Sequence, residues 1–448
     1  MLDINWNSVE DEATRLLSDL VRFKTVNPPG DETPCARYLA DVLRKEGLDS
    51  EVVESAPGRG SVFARVKGSG QQRPLILLSH LDVVAVEPDK WERDPFGGEV
   101  VDGYVWGRGT VDCKGLTVIE LMALLLMVRQ GVPLKRDIIF AATADEETGG
   151  SAGAGWVVAN RPDLVAGEWC INEGGGEAYS VAGKTMYTCQ TSEKGTARFK
   201  VTARGPAGHG SIPRDDNAVV LLTRAMTRLG EARLPLHRTA TMDGLLSTVA
   251  QMLGEGITLE SLLRLADDRA ALGRVLHNQA MANMFYSMLH NTMTPTMLKA
   301  GERINVIPSL AEGWVDGRIL PGQTKETFME EIKAALGDLP VEITWTDESR
   351  QPGALESPSE GELFGVIRDV MSAHAPDGVV VPFLCTGGTD AKHLVPAGVR
   401  VYGFWPAMED PRAPAMELAH NHNERISVAN LVFGTKVLYD VIRRFCAA

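Results

Sequence analysis

The segment "KGLTVIELMALLLMVRQG", Lys114 to Gly131, constrains this chain most. Its helical spacing leaves apolar residues on most sides, and a helix without a polar face must be covered all round. The neighbouring stretches supply the cover. "SVFARVKG" and "PLILLSHLDVV" read as strands before it, and "RDIIFAATADEE" as a strand after it. A helix "GAGWVVANRP" and a strand "EWCINEGGG" that leaves into glycines come next. Two amphipathic helices, in "VEDEATRLLSDLVRF" and "NPPGDETPCARYLADVLRKEG", open the chain. Alternating β and α units predict an α/β fold: a largely parallel sheet with helices on both faces.

From Gly195 the texture changes. "GTARFKVTARG" alternates like a half-exposed strand, and "NAVVLLTRAMTRL" is an amphipathic helix. A Leu- and Met-rich helical stretch, Met242 to His290, reads as packing or dimer surface rather than a cofactor box. Strands "ERINVIP" and "AEGWVDGRIL", a helix "KETFMEEIKAAL" and a strand "VEITWT" complete a β-α-β-β-α-β order with a helical insertion near 240–290. After Gln351 the α/β texture returns in "ELFGVIRDVMSAHA", "VRVYGFWP" and "NLVFGTKVLYDVIRRF". The expected organisation is one α/β domain, 1–194 and 351–448, interrupted by an α+β domain at 195–350.

Acids outnumber bases 59 to 45, and the formal charge of -14 opposes nucleic-acid or anionic-membrane binding. The six cysteines are scattered without a CxxC pair, which argues against a disulfide framework and a thiolate zinc site. The N-terminus lacks the basic and apolar regions of a signal peptide, and "LMALLLMV" is too short to span a bilayer. A cytoplasmic location is expected.

The chemistry gathers at strand ends. "ATADEETGG" ends an apolar run with Asp145, Glu146 and Glu147. Carboxylates buried this close cost several kcal/mol unless paired or metal-bound. "SHLDVV" places His80 and Asp82 on one strand face. Asp112 lies in the glycine-rich "GRGTVDCKG", Glu173 in "NEGGG" and His420 in "LAHNHNERI". In a parallel sheet the C-terminal strand ends line one crevice. Two imidazoles and three carboxylates suit zinc, cobalt or manganese. With a bridging hydroxide, three carboxylates neutralise two divalent ions. Asp82 fits the acid that holds His80 in the correct tautomer. Blander readings compete: the acids as surface loops, Glu173 as part of a turn, and His422 in place of His420. His237, His277, His290, His374 and His393 read as structural or surface residues.

These residues resemble the cocatalytic di-zinc peptidases and amidohydrolases that include aminoacylase, glutamate carboxypeptidase, acetylornithine deacetylase and succinyl-diaminopimelate desuccinylase. "HLDVV", "GRGTVDCKG", "DEETGG", "GPAGHGSIP", "NVIPS", "GGTDA" and the late histidine fall in that family's order over nearly the whole chain. The resemblance implies a zinc-peptidase catalytic domain and an inserted lid and dimerisation domain. It implies two zinc ions per chain, with Co2+ or Mn2+ as alternatives. Asp112 bridges them; His80 and Glu173 complete one site, Glu147 and His420 the other. Glu146 is the general base that activates the bridging hydroxide's parent water. Asp145 receives no role and reads as a solvated or capping acid. A cis peptide is implied between Asp112 and Cys113. His209 polarises the scissile carbonyl, typically across a homodimer. Asn305, Arg318 and Gly388 match positions that hold the substrate's free carboxylate, for which an arginine fork is suited. The implied reaction is hydrolysis of the amide bond of an N-acyl amino acid or short peptide. Aminopeptidase or esterase action on the same metals is the alternative, and a non-catalytic relative a distant one.

Overall fold

The computed structural model describes residues 3–347 and 353–448. The expected boundary at 350/351 lies outside these residues. The chain gathers into two compact units. One comprises the chain up to Thr191 with Ser357–Phe383 and Thr389–Ala448; the other comprises Ser192–Glu356 with Leu384–Gly388.

In the first unit the central sheet runs in the order Ser50–Glu54, Gly60–Val66, Arg136–Thr143, Gln72–His80, Trp169–Asn172, Arg400–Gly403, Lys184–Glu193. The sheet is mixed. Four adjacent central strands, from Arg136–Thr143 to Arg400–Gly403, are parallel, and antiparallel strands flank them on each side. Register decides the functional geometry here. His80 pairs with Thr143, Leu77 with Ile171, and Asn172 with Gly403. The C-terminal ends of these strands therefore come level, and the chain leaves them into the acids noted above.

The apolar helix, Lys114–Arg129, is buried from Lys114 to Met127. It packs on Trp6–Arg22, Val428–Cys446 and the Gln72–His80 strand. Each fully buried Leu there contributes about 1.5–3 kcal/mol of transfer free energy. Its one buried cation, Lys114, is satisfied by the carbonyls of Leu20 at 3.1 Å and Phe23 at 2.8 Å. Trp6–Arg22 is started by Asn5, whose side chain accepts from the N–H groups of Asn7 and Ser8, and it buries Val9, Ala13, Leu16, Leu17, Leu20 and Val21.

The second unit has a sheet in which Leu310–Ile319 pairs on one side with Phe199–Arg204 and on the other with Thr292–Ala300; Val341–Trp345 adds beyond Phe199–Arg204. Helices Ala218–Glu231 and Lys325–Leu336 complete the module. The strand expected at "ERINVIP" is displaced. The long strand is Thr292–Ala300, and only Val306–Ile307 of that stretch is extended, pairing with Gly208–His209. Pro295 and a register shift beside it hide an edge strand, where a missing N–H is tolerated. The single Leu- and Met-rich stretch is divided into four helices: Ala240–Leu253, Leu259–Arg264, Arg269–Leu276 and Gln279–Leu289. Each is started by a side-chain cap, from Thr239, Thr258, Asp268 and Asn278. Among the described residues no helix is long and apolar enough to cross a membrane.

Candidate metal centre

His80 ends its strand and is 2% exposed. Its Nε2 lies 3.0 Å from Asp112 Oδ1 and 3.4 Å from Glu173 Oε2. Asp112 turns its other oxygen, Oδ2, to His420 Nε2 at 3.1 Å, and Glu147 Oε2 lies 3.0 Å from the same nitrogen. Two sets of potential ligand atoms result, each within 4.8 Å: His80, Asp112 and Glu173, and Asp112, Glu147 and His420. Asp112 belongs to both. Ligands bonded tetrahedrally at about 2.0–2.2 Å from one ion stand roughly 3.3–3.6 Å apart. The edges at 3.0, 3.1 and 3.4 Å are at or a little inside that spacing, and they outline two donor sets that share a carboxylate. The donor set, imidazole and carboxylate, suits borderline divalent metals.

Charge supports that fit. Burial pushes the Glu147 carboxyl up to about 7 and the Glu173 carboxyl up to about 8, against the pull of His420 and His80. Burial also works against Asp112, but hydrogen bonds from His420 and His80 hold its carboxyl well below the usual range. Hydrogen bonds to Asp112 and Glu147 raise His420 to about 10. The cluster is a pocket of acids short of positive charge, and two bound cations would relieve it. Cys113 joins the first set by distance, but its Sγ accepts the His80 backbone N–H at 3.2 Å and burial pushes its thiol far up. It stays a thiol facing backbone. The Asp112–Cys113 peptide is cis.

Asp82 is fully buried and holds three things at once. Its carboxylate accepts the N–H groups of Glu146 and Glu147, each at 3.0 Å, and Asn27 Nδ2 at 2.8 Å. The His80 Nδ1 sits 3.0 Å from the Asp82 backbone carbonyl and 3.4 Å from its carboxylate. Both partners are acceptors, so Nδ1 keeps a proton; Nε2, which here hydrogen-bonds Asp112 Oδ1, is the nitrogen that would turn a lone pair to a bound metal. The carbonyl is the shorter hydrogen bond; the carboxylate adds charge.

Of the two sequence readings of Asp145, a solvated or a capping acid, the structure excludes the solvated one. Asp145 is buried and adopts a φ of 74. Its Oδ1 accepts from Arg59 Nη2 at 3.0 Å, Asn27 Nδ2 at 3.2 Å and Thr148 Oγ1 at 2.5 Å; its Oδ2 accepts the Ala152 N–H at 2.7 Å. Asp145 thus closes the turn that presents its two neighbours. Each of the three consecutive acids has its own cationic partner: Arg59 for Asp145, Lys392 Nζ at 3.2 Å from Glu146 Oε1, and His420 for Glu147. Glu146 lies in neither ligand set. Gly174 and Gly176, both at φ 101, take the chain past Glu173 through backbone that other residues avoid.

Sequence reasoning missed Asn27, Arg59, Lys392 and Glu424, and also Asp390, whose buried carboxylate accepts from Thr143 Oγ1 at 2.9 Å. Asp390 is the acid of the "GGTDA" motif and Lys392 follows it directly, which was a usable signal; Asn27 and Arg59 carry none. His422 pairs with Glu87 at 3.0 Å rather than with the cluster. His237, His290 and His374 pair with Glu331, Asp267 and Asp440, His393 meets the Gly149 carbonyl, and His277 ends a helix.

His209, Asn305, Arg318 and Gly388 all belong to the second unit. His209 is exposed; its Nδ1 accepts the Ser211 N–H at 3.2 Å and lies 2.7 Å from Ser211 Oγ. Asn305 adjoins it, with its carbonyl accepting the Gly210 N–H at 2.8 Å. Arg318 is half-buried and donates to both oxygens of Asp316, from Nε at 2.7 Å and Nη2 at 3.3 Å. Nothing lies within 4 Å of a Cβ placed on Gly388, so packing does not demand glycine there.

The sequence profile of peptidase family M20/M25/M40 matches residues 76–444. The chain is 29% identical over 423 residues to N-fatty-acyl-amino acid synthase/hydrolase PM20D1 of Bos taurus, spanning 91% of this chain and 81% of that one. It is 26% identical over 451 residues to aminoacylase-1 of Sus scrofa, spanning 97% and 95%. Its fold is similar to that of the M20 family metallo-carboxypeptidase Sso-CP2 from Sulfolobus solfataricus, with a TM-score of 0.71 at 17% identity over 96% and 98% of the two chains. The matched span contains every residue of both ligand sets and Glu146. The chain belongs to peptidase family M20/M25/M40 and is a hydrolase of the metallopeptidase and aminoacylase type.

Proposed function

We propose that the protein hydrolyses the amide bond of N-acyl amino acids or dipeptides that carry a free carboxylate next to that bond. The observation that carries this is Asp112, shared between two ligand sets, beside a carboxylate in neither set, Glu146. His80, Asp112 and Glu173 would hold one ion; Asp112, Glu147 and His420 would hold the other. A bound pair of divalent metals, zinc first and cobalt or manganese as alternatives, supplies Lewis acidity and a water of lowered pKa.

The remaining work falls to side chains. Glu146, steadied by Lys392, accepts the attacking water's proton on its carboxylate and returns it to the leaving nitrogen as the C–N bond breaks. Asp82 keeps the His80 lone pair inward and tethers the Glu146 and Glu147 backbone, so base and ligand keep one spacing. His209 donates to the scissile carbonyl oxygen. Its Nδ1 accepts the Ser211 N–H, which places the proton on Nε2, as a donor requires. Arg318, with Asn305 and the Gly388 backbone, binds the substrate carboxylate; Asp316 orients the guanidinium from its Nε side. Similarity to the bovine N-fatty-acyl-amino acid synthase/hydrolase and the porcine aminoacylase favours an N-acyl amino acid.

The test is amine release from N-acyl amino acids, dipeptides and their carboxyl-amidated twins, using zinc- or cobalt-loaded enzyme. Cleavage of free acids alone supports the reading. Equal cleavage of the amides removes Arg318 from it and favours an aminopeptidase or broad amidase.

A further inference from the structure

Glu424 is fully buried and absent from both ligand sets, and its carboxylate accepts from Arg108 and from three backbone N–H groups. Its Oε1 accepts the backbone N–H groups of Val111 at 2.7 Å, Gly109 at 3.0 Å and Asp112 at 3.1 Å. Its Oε2 takes the guanidinium of Arg108 at 2.5 Å, with Gly109 N at 3.1 Å. Arg108 is itself buried and lies over the Trp91 ring. The Glu424 backbone joins in, because its carbonyl accepts the Gly107 N–H at 2.9 Å. One residue therefore holds the loop from Gly107 to Asp112 by both its main chain and its side chain. The contacts span more than three hundred residues of sequence; burial pushes the Glu424 carboxyl above the usual carboxylate range, and the Arg108 guanidinium and the loop N–H groups pull the other way.

The same residue stands in the loop that carries His420, and the following strand, Arg425–Ser427, pairs with Tyr104–Trp106 just before the Asp112 loop. Asp112 and His420 are thus presented by two loops joined through Glu424. The two ligand sets differ in what else supports them. His80 ends a central strand and Glu173 follows directly on another. His420 lies on irregular backbone at φ 60 with a half-exposed side chain.

We infer that Glu424 is a positioning residue for the shared carboxylate, and that the ion held by Asp112, Glu147 and His420 depends on it more than the ion held by His80, Asp112 and Glu173. This rests on the two-ion reading above. Glu424→Gln keeps the side chain's size and one acceptor oxygen but removes the charge and turns an amide N–H2 toward either Arg108 or the loop N–H groups, so one of these two sets of donors loses its acceptor.

The experiment is calorimetric titration of the metal-free full chain with Co2+, comparing wild type with Glu424→Gln and with Glu424→Asp, which keeps the charge but withdraws the carboxylate by one methylene. Melting of each metal-free protein is followed in parallel. The wild type should bind two ions. In the variants the weaker site should lose about 10–100-fold in affinity while the tighter one changes much less. Whichever variant folds carries the test. Unchanged affinities, or an equal loss at both sites with a lowered melting temperature, would show a purely structural role and overturn the inference. A wild type that binds a single ion would overturn the two-ion reading, and this inference with it.

Discussion

His80 and His209 answer opposite demands. The first closes a central strand at 2% exposure, with its Nδ1 facing two acceptors of Asp82. The second sits exposed in a two-residue strand, with its Nδ1 fixed only by the next turn of its own loop. The same contrast separates Asp112, held by a buried carboxylate, from Arg318, half-buried and held by its strand neighbour Asp316. On the proposed function His80 would keep an ion within a few tenths of an ångström, and it is built on the sheet and desolvated in advance. A group that would meet a changing substrate, as proposed for His209 and Arg318, keeps one face open.

Three substitutions sharpen or break this contrast, from the largest effect to the smallest. Glu146→Gln should keep two metal ions, measured by elemental analysis, and lower kcat about 10²–10⁴-fold. Wild-type turnover in that variant would remove Glu146 as the base. His209→Ala should also leave metal content unchanged and lower kcat about 10²–10³-fold, the scale of a lost oxyanion donor. Mixed with Glu146→Gln, it should recover activity that neither variant has alone if His209 serves a partner copy's centre. No recovery would confine His209 to its own chain, and loss of metal from His209→Ala would erase the contrast altogether. Arg318→Ala should raise KM for free-acid substrates about 10–100-fold and barely affect their carboxyl-amidated twins. An equal effect on both would leave Arg318 as no more than the partner of Asp316.

How much was legible follows from the range of each interaction. The apolar helix Lys114–Arg129 and the apolar strands beside it were readable because burial on all sides leaves a composition that no exposed element has. Two strands that the sequence reading passed over differ in why: Lys184–Glu193 carries Thr, Ser and Gln and lacks that contrast, whereas Gly378–Cys385 is apolar but interrupted by Pro382. The edge strand Thr292–Ala300 was hidden by its proline and its exposed outer residues. The three consecutive acids were readable as a problem, but the solution for Asp145 was not: its partners Arg59 and Asn27 come from distant turns, and nothing in "NPPG" or "GRGS" announces them.

By itself the sequence determined which chemistry is present: imidazoles and carboxylates at the ends of apolar strands, in an order that spans most of the chain. Those features are local, since residue type and strand period are written in the neighbouring letters. Only the tertiary structure decided which acid faces which cation, that Asp112 offers one oxygen to each histidine, and that Glu424 is spent on backbone N–H groups rather than on an ion. A hydrogen bond is satisfied by whichever donor the fold brings within about 3 Å, and that choice leaves no trace in spacing along the chain.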